Sequence, residues 1–203
     1  MTRRGRNRGD SAVKRYLFCI ISIILFPLLT CASDSYEQCR NHFLHGQYFL
    51  AEESCLKAAG DENLDAQKWL AFLYTKGKGV PQDYKKAFYW REKAAKAGDL
   101  NSQYHLGRFF QLGNGVEMDL SKAKYWYEKA AKKGDVNGLY AMGNLYRKGI
   151  GVEIDLSKAY GWYSLAAEKN LLLAEQTMEK MVETMTVQQI ARGKELKNTL
   201  LKK

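Results

Sequence analysis

The stretch KGKGVPQD at residues 76–83 has the composition of a phosphate loop: two glycines and two lysines in a turn between helical patterns. A phosphate loop follows a strand and opens its helix with a Lys-Ser/Thr pair. Neither feature is present, so the nucleotide reading is set aside. A second reactive cluster lies further upstream. Cys39, His42 and His45 follow one another at i, i+3 and i+6, with Cys55 beyond them. These four residues suit a Cys/His zinc set, although an i+6 residue sits about 120° around a helix from the first. The rival chemistry is a disulfide. The turn expected near Gly46-Gln47 falls almost midway between the two cysteines, so an antiparallel helix pair would let them face one another. An oxidising compartment would then let them bond. A Cys39–Cys55 disulfide is expected, with zinc as the alternative. Catalysis finds little support: the histidines are His42, His45 and His105, and none stands in a Cys/His or Ser/His/Asp context. No catalytic residue, cofactor or enzymatic activity is assigned.

The glycine stretch recurs, and a fixed period changes the meaning of every residue within it. Gly77, Gly79, Val80 and Asp83 are followed 36 residues later by Gly113, Gly115, Val116 and Asp119, and again by Gly149, Gly151, Val152 and Asp155. Leu70, Leu106 and Met142 precede the stretch in register, and Lys-Ala pairs, Trp90, Trp126 and Trp162, and Ala-Ala pairs follow it. Three copies agreeing at this many positions define repeats at 64–99, 100–135 and 136–170. Residues 33–62 resemble a degenerate first helical pair, and residues 171–203 are expected to close the array with capping helices.

The period places helix A of each copy at 64–76, 100–112 and 136–148, and helix B at 84–96, 120–132 and 156–168. Gly77, Gly113 and Gly149 stand where a helix ends in a left-handed residue. The second glycine is read as permitting the tight reversal, the valine as plugging the apolar seam, and Asp83, Asp119 and Asp155 as caps of helix B. Thr186 and Gln189 form a capping box before a final helix. The tryptophans at one register are read as filling the gaps between units.

The N-terminus differs in kind from the repeats. A basic segment with Arg3, Arg4, Arg6, Arg8, Lys14 and Arg15 precedes the apolar run YLFCIISIILFPLL at 16–29, which ends in Thr30, Cys31, Ala32 and Ser33. Its 14 residues are too few for a membrane-spanning helix and suit a cleaved export signal covering 1–32. Processing after Ala32, or as a lipoprotein at Cys31, are the two exits; the Arg3-Arg4 pair is a weak match to a twin-arginine signal. Export implies a periplasmic or secreted protein, or a lipid-anchored one. It also reinterprets the charge. Six bases and one acid within residues 1–31 carry +5 of the net +10, leaving +5 on the mature chain. Lysines of the repeats stand beside acids, as in YWREKAAKAGD, which is the pattern of a solvated face, so no nucleic-acid footprint is read.

The middle copy, SQYHLGRFFQLGNGVEMDLSKAKYWYEKAAKKG at 102–134, resembles the Sel1-like repeat family, the α/α relatives of tetratricopeptide repeats. Departures are Ala71 for glycine and Arg91 for tyrosine in the first copy, and Asn170 for glycine in the last. The resemblance implies an all-α fold, a right-handed α/α solenoid of antiparallel helix pairs, and a scaffold that binds other proteins. A cysteine-rich branch of the family is associated with β-lactam binding or hydrolysis; the three clean repeats here contain no cysteine, so that analogy transfers poorly.

The resemblance also implies that helix A lines the concave side. On helix A the positions opposite the apolar stripe are those where the copies disagree. They read Lys68, Phe72 and Thr75, then Tyr104, Arg108 and Gln111, then Tyr140, Asn144 and Arg147, with Trp69 and His105 at the edge. Tyr, Trp and Arg dominate binding hot spots, so these residues are the expected groove for a segment of an envelope or host protein. A periplasmic peptidoglycan- or β-lactam-binding role through the same groove is the alternative.

Overall fold

The computed structural model describes residues 34–201. The basic N-terminus, the export-signal run at 16–29, Cys19 and the lipidation candidate Cys31 lie outside the described residues. Within them the chain is an α/α solenoid of consecutive helices: α1 (34–44), α2 (Tyr48–Gly60), α3 (Leu64–Lys76), α4 (Tyr84–Lys96), α5 (Leu100–Leu112), α6 (Leu120–Lys132), α7 (Val136–Lys148), α8 (Leu156–Ala167), α9 (Leu172–Val182) and α10 (Val187–Leu200). Among the described residues there is no strand, and no helix is long and apolar enough to cross a membrane.

Local chemistry sets the boundaries. Gly77, Gly113 and Gly149 end α3, α5 and α7 in the left-handed conformation, with φ of 64°, 68° and 70°. Asp83, Asp119 and Asp155 cap α4, α6 and α8, accepting from the backbone N–H groups of Lys86, Lys122 and Lys158. Asn63, Asp99 and Asp135 do the same for α3, α5 and α7, a second set of caps that the sequence reading left unassigned. Asn170, where the other copies have glycine, also adopts a positive φ of 63°, which asparagine tolerates better than most residues.

The second glycine of each loop has a further duty besides the turn. A Cβ on Gly115 would lie 2.3 Å from the carbonyl carbon and oxygen of Tyr84, and one on Gly79 would lie 2.6 Å from the peptide joining Tyr48 and Phe49. One on Gly151 would lie 2.6 Å from Cβ of Leu120. Tyr48, Tyr84 and Leu120 are the first residues of α2, α4 and α6, so each loop rests on the opening turn of the preceding helix B. Inter-repeat spacing is fixed there.

Cys39 and Cys55 form a disulfide between α1 and α2, and both are fully buried. That bond uses the two sulfurs a zinc site would need, which removes the zinc alternative. His42 Nδ1 instead lies 3.1 Å from Ser54 Oγ, and His45 Nδ1 lies 2.8 Å from the Asn41 carbonyl.

Two buried clusters make the core. The first gathers the cystine with Leu70, Leu73, Tyr74 and Trp90; the second gathers Leu106, Tyr127, Met142, Trp162 and Tyr163. Phe88 and Val116 pack against both and join them. Trp126 is partly buried rather than sealed. In the second and third repeats a helix-B tyrosine packs against a helix-A glycine: a Cβ on Gly107 would be 2.7 Å from the Tyr127 ring, and one on Gly143 2.6 Å from the Tyr163 ring. The first repeat has Ala71 and Arg91 at these two places. At the far end α10 crosses α8 where Gly161 and Gly193 allow close approach; a Cβ on Gly161 would be 3.2 Å from the Gly193 carbonyl oxygen. Gly161 stands in the register of Tyr89 and Tyr125, which are exposed on α4 and α6. The Thr186–Gln189 capping box that opens α10 is formed on both sides.

Candidate functional site

Three hollows lie along the helix-A face. The first, about 500 Å³, opens between α3, α4 and α5 and is lined by Phe72, Thr75, His105 and Arg108, together with Lys76, Tyr84, Arg91, Phe109 and Leu112. The second, about 180 Å³, is lined by Tyr104, Arg108, Gln111, Tyr140 and Asn144, with Tyr127 at its base. The third, about 400 Å³, joins Arg147 to Leu173, Thr177 and Lys180 of α9. Arg108 lines both the first and the second hollow and so stands between these two.

Most of the groove residues expected from the sequence line this row, while Lys68 and Trp69 lie outside it. Trp69 is stacked between Tyr36 and Phe43 of α1, at centroid distances of 6.0 and 5.1 Å, and Phe43 also meets Phe72 edge-on. Lys68 is held by Asp65 at 2.9 Å and Asp99 at 3.6 Å. Helix α1 thus closes one end of the row with an aromatic stack.

The remaining groove residues are oriented from helix B. Tyr127 donates its hydroxyl to Gln111 Oε1 at 2.7 Å. Its counterpart Tyr163 donates to Asn144 Oδ1 at 3.0 Å and accepts from Arg147 Nε at 3.1 Å. Burial pushes both phenol pKa values above the ordinary tyrosine value, so they remain neutral donors. Tyr104 leans on Tyr127 and Tyr140 on Tyr163, at 5.7 and 5.3 Å between centroids. These aromatics are braced from below rather than projecting freely.

Arg91 breaks the pattern. It occupies the place of Tyr127 and Tyr163, is 8% exposed, and uses Nη1 on Asn101 Oδ1 at 3.4 Å and Ser102 Oγ at 3.3 Å. Its Nε has no hydrogen-bond partner among the described residues. Burial lowers its pKa to about 10, partly offset by Asp99, so the guanidinium is still charged at neutral pH. Burial also lowers His105 to about 4, with the nearby charges of Arg91 and Arg108 adding to the effect. His105 is therefore neutral at ordinary pH, as expected of an imidazole in a positive and partly desolvated pocket. The sequence reading missed Arg91, Lys76 and Tyr84 because they come from the end of helix A or from helix B. The signal was nonetheless present in the paired departures Ala71 and Arg91.

Among the described residues no group of three or more His, Cys, Asp or Glu side chains could hold a metal ion. The Sel1 repeat model matches the chain at residues 64–99, 100–135 and 136–171. Among solved structures, the chain is similar to a protective antigen of uropathogenic Escherichia coli displaying an SLR fold, at 33% identity and a TM-score of 0.66. That alignment covers 70% of this chain but only 32% of the antigen, so the present chain corresponds to about a third of that protein's length. A Sel1 repeat protein from Oxalobacter formigenes is similar at 29% identity and a TM-score of 0.68, covering 78% of this chain and 69% of that one. No curated protein matches the chain.

Proposed function

The chain belongs to the Sel1 repeat family, and from that premise we propose that it is an exported, non-enzymatic scaffold whose helix-A groove holds an extended segment of another envelope or host protein. Sel1 repeats are a scaffold type that commonly mediates protein–protein interaction. The observation that carries the reading is the row of hollows, with Arg108 common to the first two, lined by residues that differ from copy to copy while the surrounding framework repeats. Export draws support from the buried Cys39–Cys55 disulfide, since such bonds persist in oxidising compartments. The peptidoglycan alternative is less well supported: glycan binding calls for open aromatic platforms, and Trp69 is sandwiched by α1 while Tyr104 and Tyr140 lie against core tyrosines.

Arg108 is the residue with which to test this, because it is exposed and lines two hollows, and no ion pair holds it among the described residues. Arg108→Glu is expected to leave the fold and melting temperature unchanged and to weaken capture of the partner from an envelope extract by about tenfold or more, as reversing a charge in a groove does. Tyr125→Glu, on the exposed side of helix B, is the control expected to bind normally. Equal capture by both variants and the wild type would count against the groove.

A further inference from the structure

Resting on that groove reading, we propose that the first hollow is a carboxylate-recognition pocket, in which Arg91 receives an aspartate or glutamate side chain of the bound segment while the neighbouring apolar side chain of that segment packs on the aromatic wall.

A buried arginine without a counter-charge is costly, and proteins generally pair such a charge. Arg91 is not paired. Among the described residues its Nη1 meets the neutral oxygens of Asn101 and Ser102, and its Nε has no hydrogen-bond partner. Asp99, the nearest acid to influence it, is engaged elsewhere: it caps α5 through the Ser102 N–H at 2.7 Å and bridges to Lys68 at 3.6 Å. Arg108 and Lys76 also line the hollow, and neither is ion-paired among the described residues. Three cations therefore line one cavity, and among the described residues none of them is in an ion pair, Asp99 acting on Arg91 only from a distance. Phe72, Tyr84 and Phe109 line the same hollow and supply its aromatic surface.

Substitutions between the repeats point the same way. Elsewhere the Tyr/Gly pair closes this place: the Tyr127 ring covers Gly107 and the Tyr163 ring covers Gly143. In the first repeat the glycine is Ala71 and the tyrosine is Arg91, so the ring and the space made for it changed together. The exchange replaces a neutral hydroxyl, committed to the chain's own Gln111 or Asn144, with a guanidinium that has donors to spare. A planar guanidinium edge matches a carboxylate in a bidentate fork. Arg108 stands between this hollow and the second one, so the proposed segment passes across it from one to the other. The acid is then a side chain within it rather than a chain end.

The test uses capped dipeptides and isotope-labelled full-length protein in NMR titrations. Acetyl-Glu-Phe-amide carries only a side-chain carboxylate and an aromatic neighbour; acetyl-Gln-Phe-amide removes the charge; acetyl-Gln-Phe with a free end moves the carboxylate to the terminus. The first should shift resonances around His105 and Ser102 and raise the His105 titration midpoint, since a bound anion favours the imidazolium. Each of the other two should bind about tenfold more weakly or worse, the loss of roughly one charge-assisted contact. A double variant, Ala71→Gly with Arg91→Tyr, restores the arrangement of the other repeats and so should fold normally while losing the response. Equal binding of the uncharged dipeptide, preference for the free end, no response to any of the three, or full binding by the double variant would overturn the pocket. None of these outcomes alters capture of the partner by wild type against Arg108→Glu, so a failed pocket remains distinct from a failed groove.

Discussion

Gly115→Ala is expected to destabilise the protein by about 2–5 kcal/mol, from about 1–2 kcal/mol for a left-handed alanine and about 1–3 kcal/mol for overpacking against a neighbour. Gly115 has φ of 68°, and the added methyl would meet the Tyr84 carbonyl at 2.3 Å, a backbone group that can yield only by moving the repeats apart. Gly113, two residues earlier, separates the two contributions. Its φ is also 68°, but its Cβ would meet nothing nearer than 3.5 Å, so Gly113→Ala should cost only the conformational part, about 1–2 kcal/mol. Gly60→Ala, with no positive φ and nothing within 4 Å, should be neutral or slightly stabilising. Urea denaturation of the three variants checks the order. A Gly115→Ala cost no larger than that of Gly113→Ala would mean that the loop does not set the spacing between units.

Removing the disulfide should have an effect of similar size, but one localised at the N-terminal end. Cys39 and Cys55 close a loop with a sequence separation of 16, for which the chain-entropy estimate is about 3 kcal/mol. Cys39→Ala with Cys55→Ala is expected to lower stability by about that amount and to loosen α1. Tyr36 and Phe43 would then leave Trp69, uncovering the end of the groove, whereas Trp162 sits in the other core cluster and Trp90, though it shares the cystine's cluster, meets the ring of Tyr89 on its own helix. Tryptophan emission should therefore shift to the red, and the shift should vanish when Trp69→Phe is added. An unchanged melting curve and unshifted emission would show that α1 docks without the bond.

Helix ends were legible in the sequence because the chemistry that sets them is local. Gly77, Gly113 and Gly149 need only their own backbone to stop a helix, and Asp83, Asp119 and Asp155 need only the next turn to cap one. What escaped is what depends on a neighbour. Gly79, Gly115 and Gly151 read as turn residues, yet the closest demand on each comes from the preceding unit. Trp69 stands at the edge of the expected groove in the sequence, whereas α1 covers it from outside the three clean repeats. Lys68 has a local partner in Asp65, and its second one, Asp99, comes from the far end of the repeat, where it caps α5. Arg91 was visible as a departure from tyrosine, but its burial and its unpartnered Nε follow from how α4 and α5 meet. The repeat framework can thus be read from local chemistry, while the closure and charge of the hollows depend on how neighbouring helices meet.

The most direct test of groove capture is site-specific photo-crosslinking in the native envelope, with a photoreactive residue placed at Gln111 inside the row of hollows or at Tyr125 on the exposed side of helix B. The account predicts one discrete adduct from position 111 and none from position 125, with the position-111 adduct lost on adding Arg108→Glu. Adducts arising only from position 125, or equally from both, would contradict it.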